Sequence, residues 1–77
     1  MNIYKTILEF SDGRTIKDLW PEKEDALSYI ENAPAFDGCT RAELWEWHPE
    51  GVTFKPYKCI YEYAIDKNYL FNAEVIA

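Results

Sequence analysis

The chain is poor in the residues that most often carry chemistry. It has a single histidine, His48, and two cysteines, Cys39 and Cys59. No pair of them has a ligand spacing such as C-x-x-C or H-x-x-x-H, so no metal site is expected. Two cysteines are too few for a disulfide-stapled secreted scaffold. They read as reduced thiols, and the chain as a cytoplasmic protein. The three glycines, Gly13, Gly38 and Gly51, stand far apart, each in its own turn signal. Phosphate-cradling loops need clustered glycines, so nucleotide cofactors are not expected. No run of about 18 apolar residues could cross a membrane. The opening Met1-Asn2-Ile3-Tyr4-Lys5 lacks the basic leader and apolar stretch of a secretory signal.

Bases are scarce where acids are dense. Residues 18–50 hold nine acids (Asp18, Glu22, Glu24, Asp25, Glu31, Asp37, Glu43, Glu46, Glu50) against Lys23 and Arg41, a net of −7. The remaining residues net +1, which gives the −6 of the whole chain. A face polarised in this way attracts basic partners and repels nucleic acid and anionic membrane. What the chain has in plenty is aromatic side chains, 17% of its 77 residues. Each buried ring removes about 150–250 Å² from water. That is how a chain with room for one domain, residues 1–77, can build a core.

Periodicity predicts an α+β fold. Ser11-Asp12-Gly13 is a hairpin turn between two alternating runs. A three-residue loop with Gly13 left-handed sets Leu8 opposite Ile16 and Tyr4 opposite Trp20. That register gathers Tyr4, Leu8, Phe10 and Ile16 on one face, whereas a one-residue slip scatters them. Residues 21–31 read as a helix, with Pro21 at the first helical position. Glu22, Glu24 and Asp25 fall in its first turn, where the helix dipole favours anions. Lys23, Ala26, Leu27 and Ile30 form its inner stripe. Asn32 is expected as a left-handed cap, and Pro34 blocks continuation. Trp20 is expected to staple the helix entry.

Residues 33–39 read as a loop and 40–48 as a strand. Arg41, Glu43, Trp45 and Trp47 lie on one face of it, and Ala42, Leu44, Glu46 and His48 on the other. After a turn at 49–51, residues 52–65 read as one long strand or two. Pro56 is tolerated there at an edge or bulge, and Tyr57, Cys59, Tyr61, Tyr63 and Ile65 share a face. Residues 66–68 are a turn signal, and 69–76 alternate as a final strand, with a short helix as the competitor. The order is ββαβββ, with room for a sixth strand. The expected architecture is one helix packed on a mainly antiparallel sheet.

No constellation supports catalysis. Cys39 and His48 sit in acidic surroundings, which raise a thiol pKa instead of lowering it. Among close carboxylate pairs, Glu22/Glu24 and Glu24/Asp25 lie on the outside of the helix, and Glu43 and Glu46 point to opposite faces of a strand. A solvated acidic face explains them better than acid–base chemistry. Nucleic-acid binding could live only at residues 52–67, where Lys55, Lys58 and Lys67 mix with Phe54, Tyr57, Tyr61 and Tyr63. The net charge opposes it. Trp45 and Trp47 either cover the core beside the helix or stand partly exposed as partner anchors.

The resulting expectation is a non-enzymatic acidic binding protein without cofactor or metal. Glu22, Glu24, Asp25, Glu31, Glu43, Glu46, Trp45 and Trp47 are its expected partner-binding residues. Its partner would be a protein with a basic surface, and a specific form is a decoy blocking a nucleic-acid-binding surface. Small phage-type inhibitors share this size and composition. Four acids on a helix about 15 Å long are sparser than one charge per about 1.7 Å in duplex DNA, so full phosphate mimicry is not implied. The alternative is a ligand-binding domain with an aromatic pocket of Tyr61, Tyr63, Trp45 and Trp47. Homo-oligomerisation through an exposed sheet edge fits either reading.

Overall fold

A computed structural model describes residues 1–65. Four strands, β1 (Ile3–Phe10), β2 (Thr15–Trp20), β3 (Cys39–Glu50) and β4 (Thr53–Ala64), form one antiparallel sheet in the order β2-β1-β3-β4. One helix, α1 (Lys23–Ile30), and a 3-10 turn at Ala33–Ala35 cover one face of it. The architecture is α+β, as the sequence predicts. The expected turn at 66–68 and strand at 69–76 lie outside the described residues.

The hairpin register is the expected one, with Tyr4 paired to Trp20 and Leu8 to Ile16. Gly13 has φ +93°, and its N–H donates to the Phe10 carbonyl at 3.0 Å. Arg14 ties the turn down, donating from its backbone N–H and side-chain Nε to the two Asp12 carboxylate oxygens at 3.0 and 2.7 Å. These bonds, the backbone one foremost, hold the Asp12 carboxyl below its usual range. The apolar face of β1 meets the helix. Leu8 and Thr6 are fully buried there, and Tyr4 and Phe10 pack at its borders. Ile16 shares this face but sits on an edge strand and stays 37% exposed.

The helix is shorter than expected and differs at both ends. Glu22 is its N-cap, so Pro21 precedes the helix instead of occupying its first position. Asn32 is not left-handed: its φ is −87°, and the chain runs on into the 3-10 turn where a loop is expected. Pro34 still prevents an α-helical continuation, because a proline has no N–H to give the ladder. The Asn32 side chain donates to the Ser28 carbonyl at 2.8 Å, which satisfies one of the terminal carbonyls. Inside, Ala26 and Ile30 are fully buried, while Leu27 is only partly covered. With Leu8, Ala33, Cys39, Ala42 and Leu44 they make the core.

Strand β4 runs as one strand to the sheet edge, but two irregularities break its alternation. Tyr61 pairs with Leu44 and Cys59 with Trp45, so Ile60 is an extra residue; Lys58 pairs with Glu46 and Pro56 with Trp47, so Tyr57 is another. Each extra residue flips the side chains that follow it. The expected common face of Tyr57, Cys59, Tyr61 and Tyr63 is therefore not formed. Tyr61 and Tyr63 pack against the core on the helix side. Tyr57 stacks on His48 at 4.0 Å, and Cys59 lies across from Trp45 on the other face. Pro56 stands on an edge strand beside a bulge, where its missing N–H does least harm.

Candidate functional site

The sheet has two unlike faces, and the expected partner-binding residues divide between them. Small and aliphatic side chains, Ala42 and Leu44, face the helix, because a helix can approach a sheet closely only over such residues. The alternation of β3 then sends Arg41, Glu43, Trp45 and Trp47 to the opposite, open face. Both tryptophans are half-buried there and do not cover the core beside the helix. Trp20 does reach the helix, but near its far end. Its ring lies 5.1 Å from that of Tyr29, and its Nε1 donates to the Thr6 hydroxyl at 3.0 Å.

On the helix side, residues 18–37 carry six exposed acids, Asp18, Glu22, Glu24, Asp25, Glu31 and Asp37, and one base, Lys23. None of these acids is in an ion pair among the described residues. Their field reaches two half-buried tyrosines. Burial raises the Tyr29 hydroxyl pKa first and the Asp18 charge adds to it; Tyr61 is raised by burial and then by Glu31. Four of the expected residues, Glu22, Glu24, Asp25 and Glu31, thus share one acidic layer. Asp18 and Asp37 join it. Their place in the net −7 stretch was the available signal.

The other two expected carboxylates each bond to a side chain two residues along their own strand, Glu43 to Arg41 and Glu46 to His48. Glu46 faces the helix side, 2.5 Å from His48 Nε2, and accepts from Asn2 Nδ2 at 3.4 Å. The His48 bond is the main cause that holds its pKa below the usual carboxylate range, against the opposing effect of burial; Lys58 and Lys23 also lower it. Glu43 lies on the open face. It accepts from Arg41 at 3.0 Å and from Trp45 Nε1 at 3.2 Å.

The open face is mixed. A shallow apolar groove of about 220 Å³ is lined by Ile7, Trp45, Trp47 and Pro56. The Lys5 ammonium lies 5.2 Å from the centre of the Trp47 ring. Trp47 Nε1 is buried and has no hydrogen-bond partner among the described residues. Leu19, across from Lys5, is 65% exposed. The charges of this face are balanced: strand pairing places Lys5, Lys17 and Arg41 together with Glu9, Glu43 and Glu62. The four aromatics of the expected pocket do not converge, since Tyr61 and Tyr63 belong to the helix side. Sequence reasoning missed Ile7, Pro56 and the lysines of this face. The alternation of β1 and β2 could have shown Ile7 and the lysines once Arg41 and Glu43 marked the Trp face as the wetter one; Pro56 reaches this face only through the register shifts of β4.

Among the described residues, no group of three or more His, Cys, Asp or Glu side chains could hold a metal ion. No described helix is long and apolar enough to cross a membrane. No protein-family model matches the chain, and no curated protein or solved structure matches it either.

Proposed function

We propose that this chain is a non-enzymatic binding protein whose acidic helix layer docks on a basic surface of a protein partner, in the manner of a decoy for nucleic acid. The observation that carries this reading is the six exposed acids of residues 18–37, which have no ion-pair partner among the described residues. Glu43, by contrast, lies 3.0 Å from the Arg41 guanidinium, which offsets its charge locally. Unpaired carboxylates project a field that speeds encounter with an opposite charge. Glu22, Glu24, Asp25 and Glu31 stand on or at the ends of the helix that covers the sheet, and such an acidic ridge suits a basic groove.

The test is affinity capture from host lysate with two baits, the native chain and a Glu24→Lys/Asp25→Lys variant. Both positions are exposed on the helix. Basic proteins held by the first bait and lost from the second support the reading. Equal capture by both baits refutes it. An aromatic-groove reading would make capture depend on Trp45 and Trp47 and not on Glu24 and Asp25.

A further inference from the structure

We infer that the open face of the sheet is a self-association surface, taking a second copy of this chain face to face. A chain of net charge −6 repels its own copies most strongly through its acidic helix layer. The open face is the place where two copies can meet, because its three acids and three bases cancel. Its middle offers the half-buried Trp45 and Trp47, and aromatic side chains dominate interface energetics.

The arrangement of charge is self-complementary. One row across the sheet reads Lys17, Ile7, Glu43, Glu62, from edge strand β2 to edge strand β4. Opposite charges therefore stand at the two ends of the same row; Glu62 also lies 3.8 Å from Arg41 of its own chain, a long, solvent-exposed ion pair of the kind that contributes little and that a second cation can share. A two-fold axis running along the strands, midway between β1 and β3, lays β2 over the second copy's β4 and β1 over its β3. Lys17 then meets Glu62 of the second copy, and the symmetry makes that contact twice. In the next row Glu9 pairs with Arg41, and the same operation sets Glu9 over Arg41 of the second copy. The Lys5 row places Lys5 over the second copy's Trp45. Sheets that pack face to face keep their strands within about 30° of each other and lie about 10 Å apart. The long side chains of Lys17 and Glu62 span that gap from the two rims. Both acidic layers remain on the outside, so the inference stands whether or not the proposed decoy function holds.

Sedimentation velocity on the intact chain, from micromolar to millimolar concentration, is the test. Native protein is expected to shift from one chain mass to two. Lys17→Glu alone sets acid against acid at both rims, and Glu62→Lys alone sets base against base. Each is expected to raise the dimer dissociation constant by about tenfold or more. The two variants mixed together restore both rim contacts, and a dimer is expected to reappear at native concentration. Both positions are exposed, and an unchanged circular dichroism spectrum confirms that each variant folds. A native chain that stays monomeric throughout overturns the inference. So does a dimer that either single variant leaves unchanged, which would place the contact at a sheet edge.

Discussion

Replacing Ile30 with alanine tests how the helix is held. Ile30 is fully buried against Leu8 and Leu44, and it is among the largest side chains wholly removed from water. The change deletes three carbons, worth about 2.4 kcal/mol at about 0.8 kcal/mol per methylene. The site cannot collapse easily, because the strand backbones beneath it are fixed by pairing on both sides of β1 and β3. A cavity contribution of about 1 kcal/mol follows, for a total of about 3–4 kcal/mol. A domain of this length has about 4–11 kcal/mol of stability in all, so the variant should sit close to unfolding. With an m-value of about 1 kcal/mol per molar urea, the midpoint should fall by about 3 M. Tryptophan fluorescence can report it, since Trp20 lies against Tyr29 of the helix. Leu27→Ala, at a partly exposed position, should lose about half as much. An Ile30 effect below about 1 kcal/mol, or one smaller than that of Leu27, would refute this account of the core.

Other outcomes follow from single contacts. Gly13→Val should destabilise by well over 1 kcal/mol; no atom lies within 4 Å of where its Cβ would stand, so the loss is one of backbone conformation, and Gly13→Asn should recover much of it. Thr6→Val keeps the shape but leaves Trp20 Nε1 without its acceptor, and urea denaturation should show a loss of about 1–3 kcal/mol. Acidification should weaken the fold through Glu46. Its folded pKa lies below the ordinary 4.5, so its contribution is present above that value and is lost as pH falls through the depressed one. Glu46→Gln should therefore flatten the fall of the urea midpoint with acid, and an unchanged slope would count against the His48 contact.

The hairpin was legible because two independent signals agreed, a glycine at the turn and a hydrophobic register that only one loop length satisfies. The helix was legible from Ala26, Leu27 and Ile30, but its ends were not. Pro21 suits either side of a helix start. Asn32 could yield to a 3-10 turn that keeps Ala33 buried. The two faces of β3 were plain from alternation, but which face the helix covers was not. The deciding fact is close approach, which favours Ala42 and Leu44 over two indoles flanked by Arg41 and Glu43. Of the β4 bulges, the one at Tyr57 was hinted at by the neighbouring Pro56, but the one at Ile60 left no mark, because aromatic residues fall on both sides of it. The same limit split the candidate site. Counting charge along the chain found the acidic layer and alternation put Glu43 and Glu46 on opposite faces, but their bonds to Arg41 and His48, each two residues along the same strand, depend on side-chain geometry that periodicity does not carry.

The proposed decoy function is tested most directly by competition. A basic partner recovered by affinity capture is loaded with fluorescent duplex DNA, and this protein is titrated in at two salt concentrations. The account predicts that the protein displaces the DNA, that displacement weakens as salt rises, and that the Glu24→Lys/Asp25→Lys variant displaces little. A partner that holds this protein and its DNA together in one complex, at either salt concentration, would contradict it.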